Sequence, residues 1–164
     1  MNKWDFLYNM WMLIGPPCAG KDTYIREAFA GNNHNIISLD DIIDETAKVL
    51  ATTYTDIFES VSKFATRKLN KDIDAYFSDT KDVIWNQTNM SSKSRISKLS
   101  RVPSKFYKTA VIVSWPDWEE ITSRNANRSL EIGKHIPNHV IRSMIESYQE
   151  PTIDEGFNEI WKVT

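Results

Sequence analysis

Apolar residues run unbroken from Met10 to Ile14 and stop at Gly15, where a loop gives way to the helical sequence Tyr24-Ile25-Arg26-Glu27-Ala28-Phe29. This pattern predicts a strand over Tyr8–Ile14, with Trp4 and Phe6 before it packed against the domain edge. A helix follows and ends before Gly31-Asn32-Asn33, a strong stop signal. Asn35-Ile36-Ile37-Ser38-Leu39 is short, β-branched and bounded by turns, so it reads as a second strand. Asp40, just after it, is suited to cap a helix running to about Leu50. From Thr55 to Phe77, the residues Ile57, Phe58, Val61, Phe64, Ala65, Leu69, Ile73 and Phe77 recur at helical spacing.

Val83–Asn86 is the third expected strand and Thr109–Ser114 the fourth, with a basic helix between them, capped by Ser91 or Ser92 and stopped near Arg101 by Pro103. Pro116-Asp117 opens a helix to about Arg128, a second begins at Pro137 and runs to about Tyr148, and Phe157–Val163 closes the pattern as a last strand. Strands alternating with helices imply an α/β fold with a parallel sheet of four to five strands and helices on both faces. Ligands of such sheets sit outside the carboxyl ends of the strands. One rim therefore gathers Gly15–Thr23, Asp40-Asp41, Gln87-Thr88-Asn89 and Trp115-Pro116. No repeat or second domain interrupts residues 1–164, so a single domain is expected.

Composition adds bounds. With 41% hydrophobic and 26% charged residues, the 164-residue chain has the make-up of a soluble globular domain. Its longest apolar runs are too short to span a membrane, and its opening has no signal-peptide pattern. Cys18 is the single cysteine, which fits a reducing cytoplasm. A net charge of −2 argues against a general nucleic-acid coat. The charge is polarised, however: six basic residues and no acid lie between Ser91 and Lys108, and five acids without Lys or Arg between Glu146 and Glu159. The basic stretch is either a phosphate-binding face or a solvated helix face.

The run Gly15-Pro16-Pro17-Cys18-Ala19-Gly20-Lys21-Asp22-Thr23 has the spacing of a phosphate-binding P-loop, with the required strand before it and helix after it. Gly15 and Gly20 let the backbone close around an anion. The loop and helix N–H groups point at phosphate oxygens, and Lys21 adds a mobile cation. Asp22 stands where a magnesium-binding hydroxyl is usual, and the hydroxyl comes one residue later at Thr23. Asp40 at the tip of the second strand is either a general base or a helix cap. Arg124 and Arg128 share a helix face, as lid residues over transferred phosphate or as solvated surface. His135 and His139 also lie four apart, but Pro137 between them and the absent glutamate argue against a zinc site.

Four blocks together carry a resemblance to the kinase half of the phage-type 5′-polynucleotide kinases, across most of the chain. They are Gly15–Lys21, Leu39-Asp40-Asp41, Val83–Asn89, and Trp118–Arg128 followed by Ile136-Pro137 and Val140–Met144. The resemblance implies a P-loop kinase sandwich with an Arg-bearing lid over about 118–136. It implies ATP (or another NTP) and Mg²⁺ held by the loop from Gly15 to Thr23 with Arg124 and Arg128; Asp22, a departure from the family pattern, is the candidate metal ligand by virtue of its carboxylate. It also assigns Lys21 to the donor phosphates, Asp40 as general base, and Thr88, Asn89, Ile136 and Pro137 to the acceptor path.

The implied reaction is transfer of a γ-phosphate to the 5′-hydroxyl end of RNA or DNA in nucleic-acid repair. A ligase would be the partner in the pathway, and the cytoplasm (the host's, if phage-encoded) the location. The phosphatase domain often joined to this family is not expected in a chain ending at Thr164. Three positions depart from the pattern. Asp22 replaces Ser or Thr, Gln87 replaces an Asp, and Ile43 replaces a basic residue that grips acceptor phosphate. Loss of a carboxylate at 87 and gain of one at 22 roughly conserve the charge near the metal. The alternatives to this reading are a P-loop kinase for a nucleoside or nucleotide, and a nucleotide binder without useful chemistry.

Overall fold

The computed structural model describes residues 2–164. Five strands form one sheet: β1 (Tyr8–Ile14), β2 (His34–Ile37), β3 (Asp82–Asn86), β4 (Phe106–Val113) and β5 (Glu159–Val163). Their order is β2-β3-β1-β4-β5 and every pairing is parallel. β1 takes the centre because it is apolar on both faces, with Met10, Met12, Leu13 and Ile14 fully buried. The six helices are α1 (Lys21–Ala28), α2 (Leu39–Val49), α3 (Tyr54–Ser78), α4 (Ser92–Leu99), α5 (Trp118–Ile132) and α6 (Asn138–Glu146). No helix among the described residues is long and apolar enough to cross a membrane.

Alternation along the strands feeds two cores. Met10, Met12, Ile14, Trp85, Ala110 and Ile112 face α3, α4 and α6 through Leu69, Ile73, Phe77, Leu99 and Met144. Leu13, Ile84, Val111 and Val113 face α1 through Ile25 and Phe29. The two faces are thus covered by helices, as the alternation of elements predicted. A third cluster (Ile43, Ala47, Tyr54, Ile57, Ala65) joins α2 to α3 at the edge of the sheet.

Several local expectations change. Ser38, not Asp40, caps α2: its Oγ accepts from the Asp41 N–H at 3.2 Å, leaving Asp40 inside the first turn. Both residue types cap well, and β2 stops at Ile37, two residues short of the expected end. In α3 the buried positions from Ala65 through Leu69 and Ile73 to Phe77 are spaced by four, with Tyr54 and Ile57 buried nearer its start, while Phe58 and Phe64 face outward. Trp4 is almost wholly exposed rather than packed on the edge; Phe6 does pack, edge-on against Tyr107. α5 continues past Arg128 to Ile132 and stops at Gly133, which takes the left-handed conformation at φ 64°. The basic stretch is not one surface face, because Arg95 is fully buried on Glu155, its Nε and Nη2 both donating at 2.7 Å.

Candidate active site

The C-terminal rim of the sheet opens into a cleft of about 700 Å³ lined by the loop after β1, the start of α2, the end of β3 and α5. Its floor follows from two close approaches. A Cβ at Gly15 would sit 3.2 Å from both the Ala19 Cβ and the Val113 carbonyl, so a larger residue there would have to push the loop or β4 away by a few tenths of an ångström. The Gly15 N–H donates to the Thr88 carbonyl at 3.0 Å, tying the loop to the segment after β3. Cys18 at φ 65° and Gly20 at φ 101° turn the chain through left-handed conformations into the N-terminus of α1. Successive turns of this kind build an anion cradle from backbone N–H groups.

Lys21 lies across this cradle, its Nζ donating to the Gly15 and Pro16 carbonyls at 2.8 and 2.9 Å. Burial pushes its ammonium down to about 8, with Asp22 and Asp40 opposing the shift. Asp22 turns one carboxylate oxygen to Asn86, accepting from its Nδ2 at 2.8 Å. Gln87, beside it on the wall, accepts from the Trp85 indole at 3.1 Å.

Asp40 lines the opposite wall with its side chain 52% exposed, open to a substrate. Both of its oxygens are held: Oδ1 accepts from the Tyr54 hydroxyl at 2.7 Å, and Oδ2 lies 3.1 Å from Lys134 Nζ. Lys134 also reaches Asp44 at 3.2 Å and sits 4.2 Å from the centre of the Tyr54 ring. Burial, and next the Asp40 charge, pushes the Tyr54 phenol well above its ordinary value, so it stays a donor. The sequence reading missed both Tyr54 and Lys134. The capping Thr53 marks where α3 begins, but nothing local shows that a lysine after Gly133 folds back onto α2.

The roof is α5, capped by Asp117 and carrying both predicted arginines into the cleft. Arg124 donates to Glu120 at 2.7 Å and to the Cys18 carbonyl at 3.2 Å, touching the loop directly. Arg128 differs: its Nε and Nη2 are buried and have no partner. Buried N–H groups without acceptors are costly, and an anion in the cleft would supply them. Asn125, on the same helix, anchors the exit from α5 through the backbone of Ile136.

Not every predicted residue meets here. Pro17–Thr23, Asp40, Thr88, Arg124 and Arg128 share the cleft, whereas Gly15, Pro16, Asn89, Ile136 and Pro137 do not line it. Asn89 is buried at φ 49° and spends its amide on the Leu13 and Gln87 carbonyls. Ile43 is fully buried between α2 and α3, so a basic residue at that position would face the core.

The arrangement fits a nucleoside triphosphate: cradle, lysine and a partnerless arginine converge. No cluster of three or more His, Cys, Asp or Glu among the described residues could hold a metal alone. Magnesium in such sites needs only one or two carboxylates beside phosphates and water, and Asp22 is placed to be one.

Comparison with known folds agrees. A candidate kinase from Chloroflexus aurantiacus j-10-fl superposes with a TM-score of 0.68 at 13% identity, covering 96% of this chain and 85% of that one. A chain of the Pnkp1/Rnl/Hen1 complex gives 0.57 at 18% identity over 76% of this chain and 41% of that one. Shikimate kinase from Acinetobacter baumannii, solved with shikimate, gives 0.55 at 16% over 98% and 86%. At such identities the likeness is one of fold alone. A family model described as an AAA domain matches residues 10–151, most of the sequence, and the chain belongs to that family.

Proposed function

We propose that this protein is a 5′-hydroxyl polynucleotide kinase, moving the γ-phosphate of ATP to the 5′-OH end of RNA or DNA. One observation carries the phosphotransfer: the open Asp40 carboxylate shares a single cleft with Lys21 and with Arg128, whose buried Nε and Nη2 have no partner. Phosphoryl transfer needs phosphates held, developing charge neutralised and an acceptor hydroxyl deprotonated. The loop and Lys21 bind the donor phosphates. Arg124 and Arg128 spread over the transferring group, where their N–H groups act in a partly dry site. Asp40, oriented by Tyr54 and Lys134, takes the hydroxyl proton. Asp22 would help to hold Mg²⁺, which when bound would add positive charge against the transferring group.

The polynucleotide acceptor is supported by the four sequence blocks, and the fold likeness to a chain of the Pnkp1/Rnl/Hen1 complex agrees with it. The test is transfer of labelled γ-phosphate to 5′-OH RNA and DNA oligonucleotides beside a panel of nucleosides, nucleotides and sugar acids. Label on oligonucleotides that disappears with Lys21→Ala is the expected result. Label only on small molecules would replace the reading with a metabolic kinase, a reading favoured by the fold likeness to shikimate kinase. The carboxylate exchange has its own test. Asp22→Ser with Gln87→Asp should be more active than Asp22→Ser alone, and equal rates would discard the exchange.

A further inference from the structure

A second cavity of about 340 Å³ opens beside the cleft, between α3 and α4. The two share Leu39 and Gln87, so one ridge separates them, and Asp40 follows Leu39 directly. The groove has an apolar floor of Leu69, Ile73 and Trp85 and two cations, Lys98 and Arg101. Arg101 is partly neutralised, donating to Asn70 at 2.9 Å and lying 3.4 Å from Asp74. Lys98 is not. Its Nζ donates to the Asn89 amide oxygen at 2.5 Å and stands 5.9 Å from the Trp85 ring centre, and no carboxylate lies within ion-pair reach among the described residues.

A shielded ammonium without a counter-charge costs free energy, and here burial pushes it down to about 8. A perturbed group that also lines a cleft is a candidate functional group. The groove also meets, at Leu39 and Gln87, the cleft that holds the phosphate cradle and Asp40. Ile43 cannot grip an acceptor phosphate because it is core.

We propose that this groove is an acceptor subsite: Lys98, with Arg101, holds the first phosphodiester of the strand, the apolar floor takes an unpaired base, and the 5′-hydroxyl is presented over the Leu39–Gln87 ridge to Asp40. The proposal rests on the polynucleotide reading above. It adds the residues that select an anionic, strand-like acceptor over a free nucleoside.

The experiment compares a 5′-OH dinucleotide with its methylphosphonate analogue, which lacks the phosphodiester charge, on the wild type, Lys98→Gln and Lys98→Arg. Removing the charge should raise the wild-type acceptor KM about tenfold, the worth of a charged hydrogen bond. Lys98→Gln should raise KM for the normal dinucleotide by a similar factor and be nearly indifferent to the analogue, with partial rescue in Lys98→Arg. Independent, multiplying effects would overturn the contact, as would an equal rise in the KM for ATP.

A second readout does not depend on turnover. The dinucleotide should protect Lys98 from acylation, read by peptide mass spectrometry with the other lysines as internal controls. Protection without any transfer would sink the kinase reading and keep the groove. Transfer with neither coupling nor protection would sink the groove and keep the kinase.

Discussion

A carboxylate that takes a proton must be aimed as well as basic, and Asp40 is aimed from two sides by Tyr54 and Lys134. Asp40→Asn keeps the shape and loses the base, so kcat should fall about 10²–10⁴-fold. Lys134→Met leaves the base but frees its second oxygen. A tenfold or smaller loss in kcat, with partial rescue by Lys134→Arg, is expected in the same labelled-transfer assay, and a loss as deep as that of Asp40→Asn would make Lys134 itself a proton carrier. Lys98 offers a test without substrate. Its folded value of about 8 lies below the ordinary 10.5, so from about 8 to 10.5 the unfolded chain binds more protons and stability rises with pH. The wild type should therefore gain on Lys98→Met between pH 7 and pH 10 in urea melts. A flat difference would place the Lys98 ammonium in water.

Elements were largely legible because each carries its own period. The apolar run, the glycine spacing and the following helix identified β1, the cradle and α1 from local sequence alone. What escaped were pairings over distance. Arg95 counts as one more basic residue until Glu155 arrives from the far end of the chain to bury it. Ser38 and Asp40 are equivalent caps until the register of β2 chooses between them. The end of α5 falls four residues beyond the expected Arg128, at Gly133, a local stop signal that the sequence reading passed over. At Gly133 a Cβ would meet Thr53 Cγ2 at 2.6 Å, while at Gly31 it would meet nothing within 4 Å, though both have positive φ. Gly31→Ala should cost only backbone strain, about 1 kcal/mol. Gly133→Ala should cost that plus displacement of the α3 cap, about 2–4 kcal/mol in all by urea midpoint. Equal costs would mean that the exit of α5 yields freely.

For the whole molecule, binding and stability are linked through Arg128. A nucleotide that binds only the folded chain adds about 2.7 kcal/mol when present at a hundred times its Kd. ATP should thus raise the melting temperature of the wild type by several degrees. Arg128→Met removes two buried guanidinium nitrogens, Nε and Nη2, that have no acceptor. Its ligand-free melting temperature should match or exceed that of the wild type, while the ATP-induced rise shrinks. An unchanged rise would move the donor phosphates away from Arg128.

The sheet order has a consequence in time. β1 comes near the start of the chain, yet Met10 pairs with Val83 and Tyr8 with Phe106. The strand that carries the cradle is therefore made early and clasped late, and until then its apolar edges stand open to other chains. Such non-local pairing slows folding. On the ribosome, a nascent chain stalled before Phe106 would carry the whole loop sequence and still fail to be retained on immobilised ATP. Release of the β4 segment would switch retention on.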